Sequence, residues 1–152
     1  MSQETKAGAV PLIGAWKLIT SKIDIDDGRV MYPFGEDALG SIIFTESGRF
    51  AAQIMRRNRP KFASGDQLKG TPDEVKAGFE GFFSTFGSFE LNSDEAYLVL
   101  NFEGSLFPNW EGASQKRIME FKDGQLILTT PPIQWGGGGE IVVVLIWERI
   151  GT

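Results

Sequence analysis

Whatever chemistry this chain performs, it performs without cysteine or histidine, since the 152 residues contain neither. Thiol nucleophiles, Ser-His-Asp relays, disulfides and the usual Cys/His zinc sites are thereby removed. Proton transfer or charge stabilisation is left to Asp, Glu, Lys, Tyr and Arg, or to the substrate itself. Arg117 is the first candidate. It falls in a strand-like run, Gln115 to Lys122, where Lys116, Glu120 and Lys122 belong outside. Arg117, Met119 and Phe121 then point inward, because side chains alternate along a strand. An inward guanidinium is costly unless it is paired or meets a ligand. Two readings stay open: a salt bridge to an internal carboxylate such as Glu103, or contact with a bound molecule. Arg117 and Glu103 are the candidate catalytic pair, with Glu103 as acid or base. Gln53, Met55, Arg56, Asn101, Trp110 and Met119 are the candidate ligand contacts.

These residues sit on about eight short strand-like runs and one helix. Ala15 to Ile25 ends at the turn Asp26-Asp27-Gly28, and Arg29 to Asp37 reads as a loop crossing one end of the molecule. Ser41 to Thr45 and Arg49 to Met55 flank Glu46-Ser47-Gly48 as a hairpin. Arg56 to Gly70 reads as an ordered polar loop. Thr71-Pro72-Asp73-Glu74 is a capping box with proline at the first helical position. Phe79, Phe82, Phe83 and Phe86 follow at helical spacing, which predicts a helix over about 72–86 with an apolar stripe as its packing surface. Strand-like runs resume at Ser88 to Leu91, Tyr97 to Glu103, Gln115 to Lys122, Gln125 to Thr130 and Ile141 to Arg149, with Asp123-Gly124 as a tight turn.

In the last run, Glu140 and Glu148 belong outside, which turns Ile141, Val143, Leu145, Trp147 and Arg149 inward. Val142, Val144 and Ile146 are then outward yet apolar, and need cover from the chain itself or from a second copy in a homodimer. The run from Tyr97 to Glu103 is ambiguous. Apolar-in logic sends Asn101 and Glu103 to solvent; a polar cavity does the reverse.

Fifteen Lys and Arg against twenty Asp and Glu give a net charge of -5, which argues against nucleic acid as a partner. No apolar stretch approaches the roughly 18 residues of a membrane span. The start of the chain is polar and lacks the look of a signal peptide, so the expected location is the cytoplasm. The expected organisation is a flexible lead over 1–11 and a single domain over 12–152. No metal or cofactor is expected. Asp26-Asp27-Gly28 lacks the ligands of a calcium loop. Gly136 to Gly139 is not followed by the Lys-Ser/Thr of a phosphate loop. The basic run Arg56, Arg57, Arg59 and Lys61 reads either as a solvated loop or as a lure for an acidic ligand.

With Gly14-Ala15-Trp16, Tyr32-Pro33-Phe34-Gly35, Met55-Arg56, Phe62-Ala63-Ser64-Gly65-Asp66, Gly104-Ser105-Leu106-Phe107-Pro108-Asn109-Trp110 and Trp147-Glu148-Arg149 in view, the chain resembles the bacterial and fungal lipocalin-like domain family over residues 12 to 149. The resemblance implies an all-β fold, an eight-stranded antiparallel up-and-down barrel of the calycin type with one inserted helix and a ligand cavity. It also implies that Arg149 stacks on Trp16 as a structural contact. Members often carry His on the strand before Gly-Ser-Leu-Phe-Pro; this chain has Leu100 and Asn101 there, so no His-dependent activity transfers. Family members occur in natural-product gene clusters, some as cofactor-free cyclases or isomerases.

Three functions follow as expectations. The first is a cofactor-free cyclase or isomerase that folds a largely apolar substrate towards its reacting geometry. The second is a carrier that holds such a molecule unchanged. The third is an interaction module whose interior is filled by its own aromatic side chains.

Overall fold

The computed structural model describes residues 11–134, 136 and 139–151. Residues 1–10 of the expected 1–11 lead and part of the Gly136 to Gly139 link therefore lie outside the described residues. Ten strands form one antiparallel sheet: β1 (Gly14–Ile25), β2 (Val30–Met31), β3 (Leu39–Phe44), β4 (Arg49–Met55), β5 (Phe82–Asn92), β6 (Tyr97–Ser105), β7 (Ser114–Lys122), β8 (Gln125–Thr129), β9 (Ile133–Gln134) and β10 (Glu140–Arg149). The eight long strands run in order around a barrel, and β10 returns to pair with β1 from Trp16 opposite Arg149 to Ile25 opposite Ile141. Closure leaves no long unpaired edge. The two-residue strands β2 and β9 append to β1 and β10.

The connections divide the barrel into two ends. At one end are tight turns: Thr45 to Gly48, Ser93 to Ala96 and Asp123-Gly124. Asp123 and Gly124 both take positive φ, 52° and 78°, as a two-residue hairpin with right-handed strand twist demands. At the other end are the long loops, 26–38, 56–81 and 106–113, and the segment 130–134, which form the mouth.

The closed end is packed solid. Trp16, Phe44, Phe50, Leu98 and Leu126 are buried, with Phe89 edge-on to Phe44 at 5.2 Å. Arg149 lies over the Trp16 ring at 4.2 Å and donates to the carbonyls of Ile13, at 2.8 Å, and Pro11. Trp16 Nε1 donates to Leu12 O at 2.9 Å. Gly14 has φ +129°, and a Cβ there would come within 2.8 Å of the Arg149 guanidinium. The Gly-x-Trp sequence is thus required by the arginine that seals the barrel.

Helix α1 spans Pro72–Glu80, shorter than the 72–86 read from the phenylalanine spacing. Its start is as expected: Glu74 N–H donates to Thr71 Oγ1 at 3.2 Å, and Thr71 N–H donates to Glu74 Oε1 at 2.8 Å. Its end is not. The chain turns at Gly81, and Phe82, Phe83 and Phe86 belong to β5. The expected helical stripe is therefore divided: Phe83 points into the barrel, Phe86 is half exposed outside, and Phe79 is exposed on the helix. Two glycines at 78 and 81 weaken the helix by about 1 kcal/mol each, and the aromatic and Thr content after them suits a strand.

Candidate ligand-binding site

Between the packed end and the mouth lies a cavity of about 300 Å³. Its walls follow from strand alternation. Ala52 and Ile54 face it from β4, Phe83 and Thr85 from β5, Leu100 and Phe102 from β6, and Val143, Leu145 and Trp147 from β10. The last strand thus shows the inward face its sequence predicts. On β1 a register shift between Leu18 and Thr20 changes which residues face inward. Trp16 and Leu18 face the packed end, but beyond the shift it is Ser21 and Ile23 that line the cavity. Pro33 and Phe34 reach over the mouth from the 26–38 loop.

Trp110 supplies the other side of the mouth. It ends a single 3-10 turn, Pro108–Trp110, and its ring stacks on Phe102 at 5.2 Å and meets Phe83 edge-on at 5.1 Å. These three rings form an aromatic wall, the type of surface on which flat organic molecules stack. Trp110 and Arg117 both line the cavity.

Arg117 is the sole charged side chain that lines the cavity among the described residues. Its Nη2 donates to Gln115 Oε1 at 2.6 Å and its Nη1 to Lys116 O at 3.1 Å, both neutral acceptors. Burial pulls its pKa down to about 10, because the charged form loses water. It remains protonated at neutral pH. The hydroxyls of Ser21, Thr85 and Thr130 share the lining. Thr130 Oγ1 accepts the Val143 N–H at 3.0 Å, which leaves its own proton to give.

The remaining expected site residues are elsewhere. The ambiguity of strand 97–103 resolves with Leu98, Leu100 and Phe102 inward, so Asn101 and Glu103 face outward. Glu103 does not pair with Arg117: it holds Arg49 on the outer surface, and that hydrogen-bonded guanidinium lowers its pKa. Asn101 donates to Ser88 Oγ and accepts from Ser114 Oγ. Gln53 also lies on the outer face, accepting from Ser41 Oγ at 3.2 Å. Met119 faces inward but belongs to the packed core below the cavity. Met55 touches Arg59, 3.4 Å from its sulfur. Arg56 is at the rim, donating to Pro33 O at 2.7 Å.

The basic run is a set of staples. Arg56 holds Pro33 O, Arg57 holds Asp37 O at 2.7 Å, and Arg59 holds Gly78 O at 3.1 Å while lying over Phe82. They tie the 26–38 loop and α1 to the segment after β4, fixing the mouth. Residues that single-strand reasoning missed are the ones whose facing depends on the β1 shift (Ser21, Ile23) or on β5 being a strand (Phe83, Thr85).

Among the described residues no group of three Asp or Glu side chains is placed to hold a metal ion. Among the described residues no helix is long and apolar enough to cross a membrane.

The chain is 27% identical over 106 residues to the 4'-hydroxy-3'-methoxypropiophenone carrier protein ppsC of Aspergillus oryzae, an alignment covering 66% of this chain and 96% of that protein. A family model described as a lipocalin-like domain matches residues 13–150. With the closed barrel, the Trp16–Arg149 seal and the interior cavity, that match identifies the chain as a member of the lipocalin-like domain family.

Proposed function

We propose that this protein is a carrier for a small, largely apolar organic molecule, held in the barrel cavity with its polar end towards Arg117. The carrying observation is the cavity itself: about 300 Å³, walled by aliphatic and aromatic side chains, with Arg117 as its one charged group among the described residues. That volume and composition are those of a small-molecule pocket. An interior filled by its own aromatic rings, the interaction-module expectation, does not fit an open space of this size. The relative named as an aryl-ketone carrier supports the choice of ligand type.

Carriage is favoured over catalysis by the lining. No Asp, Glu, Lys or Tyr faces the cavity among the described residues, and Glu103, the expected acid or base, is bound to Arg49 outside. A second reading rests on Arg117. A guanidinium without a carboxylate partner can stabilise negative charge developing on a bound carbonyl, and so assist an isomerisation or cyclisation.

Titration with 4'-hydroxy-3'-methoxypropiophenone, followed by tryptophan fluorescence, tests the proposal, since Trp110 and Trp147 line the cavity. Saturable one-site quenching with the ketone recovered unchanged is the expected result. Recovery of an isomer would favour the enzyme, and Arg117→Met would then lower turnover far more than binding. Absence of saturable binding by this ketone and by other aryl ketones of its size would overturn the carrier reading.

A further inference from the structure

We infer that the occupant of the cavity carries an anionic oxygen, a carboxylate or an ionised enol or phenol, on an apolar body, and that Arg117 receives it. The inference rests on the small-molecule reading above and specifies the chemistry that reading leaves open. Arg117 stands opposite Leu98 on β7 and shares the cavity wall with Leu100, Leu128 and Trp147. A guanidinium has five N–H donors. Its two bonds here go to the Gln115 amide oxygen and the Lys116 carbonyl, neither of which carries charge. No carboxylate lines the cavity among the described residues.

Three other arginines meet a carboxylate, and Arg56, Arg59 and Arg149 bond neutral groups away from the cavity. Arg49 is paired with Glu103, Arg29 with Asp27, and Arg57 lies 3.8 Å from Asp37. Arg149 is stacked on Trp16. Arg117 is the one arginine on the cavity wall among the described residues, and no carboxylate shares that wall. A desolvated cation without a counter-ion is costly, and the cost is relieved only by an anion delivered to it. The uncharged polar groups beside it point the same way: the hydroxyls of Ser21, Thr85 and Thr130 can all donate, and Thr130 already has its oxygen engaged by Val143 N–H. A cationic ligand would be repelled, and a hydrocarbon would leave the guanidinium unmatched. An oxyanion on an aromatic body satisfies both the arginine and the Phe83, Phe102 and Trp110 wall.

The test compares 1-naphthylacetate with 1-naphthylacetamide, which share one body and differ in charge. Calorimetric titration at neutral pH should show the carboxylate bound at least tenfold more tightly by the wild-type chain. Arg117→Met should abolish that preference while leaving amide affinity within threefold, which also shows that the variant folds. Arg117→Lys should retain part of it, because charge persists without the planar fork. Equal affinities of the wild type for the two compounds, or a carboxylate preference that survives Arg117→Met, would overturn the inference and leave the cavity a small-molecule site. Failure of both compounds to bind, at concentrations up to the millimolar range, would remove the small-molecule reading and this inference together.

Discussion

The two ends of the barrel use the same pair of residue types in opposite ways. At the closed end, Trp16 gives its N–H to Leu12 O, and Arg149 stacks on it while bonding two backbone carbonyls. Bordering the cavity, Trp147 is fully buried with its N–H unpartnered, and Arg117 is partly buried and bonds only neutral acceptors. One tryptophan–arginine set is satisfied and closes the fold. The other has one N–H without a partner and a guanidinium without a carboxylate, and borders open space. Buried polar groups are normally matched, so the mismatch marks the part of the interior shaped for something other than stability.

The hardest way to break this comparison is to remove the closed-end ring. Trp16→Ala should cost about 3–5 kcal/mol, as large-to-small core changes do. At roughly 2–4 °C per kcal/mol for a chain of this size, the melting temperature should fall by about 10 °C or more. A loss of under about 1 kcal/mol would show that Trp16 does not seal the barrel.

The arginines sharpen it, because their signs should differ. Arg149→Met removes the bonds to Ile13 and Pro11 and the contact with Trp16, and should destabilise by about 2 kcal/mol. Arg117→Met should do the reverse in the ligand-free protein. A base whose pKa falls on folding, here to about 10, is destabilising while protonated in the folded state. The penalty is present at neutral pH and is relieved as pH rises through about 10 towards the ordinary arginine value. Exchanging a largely desolvated guanidinium without a counter-ion for an apolar side chain should stabilise, so Arg117→Met should gain about 1–3 kcal/mol. Urea midpoints with unchanged slopes would check both. Two losses of equal size would mean that Arg117 is a structural residue like Arg149.

A smaller contrast lies in the indoles. Trp16→Phe strands the Leu12 carbonyl as well as losing volume, whereas Trp147→Phe deletes a donor that has no partner. The first should cost about 1 kcal/mol more than the second. Equal costs would show that the Trp16 hydrogen bond contributes nothing net.

How much of this could be read from sequence depended on how local the determinants were. The Asp123-Gly124 turn, the Thr71 capping box and the inward face of β10 are set by neighbours within a few residues, and the structure has them as read. The facing of Asn101 and Glu103 was open because Glu103 takes its partner from Arg49, 54 residues away. The β1 register shift carries no glycine or proline to announce it, and it decides that Ser21, not Thr20, meets the cavity. Phe79, Phe82, Phe83 and Phe86 satisfy a helical period, while Phe83, Thr85, Gly87 and Phe89 satisfy a strand period over the same stretch. Short apolar runs of this kind are ambiguous by periodicity alone. Arg117 was legible because its charged neighbours Lys116 and Glu120 fix the parity of β7.

The mildest test separates how the two ends are held. The closed end is fixed by buried contacts, whereas part of the mouth is fixed by an exposed carboxylate. Glu74 accepts the N–H groups of Thr71, at 2.8 Å, and Ala63, at 3.0 Å, joining the start of α1 to the 56–70 loop. Those backbone bonds, first Thr71 and then Ala63, hold its pKa below the usual carboxylate value of 4.5. A carboxyl lowered on folding stabilises above its unfolded pKa, and the contribution goes as pH falls through the lowered value. Below about pH 4, protection of the Ala63 and Thr71 amides against hydrogen exchange should therefore decline, while that of β1 around Trp16 holds. Glu74→Gln should reproduce part of the loosening at neutral pH, since a neutral amide oxygen is a weaker acceptor than a carboxylate. If acid loosened β1 as early as the mouth loop, the barrel would be opening as a whole, and the division between a rigid seal and a separately tethered entrance would fail.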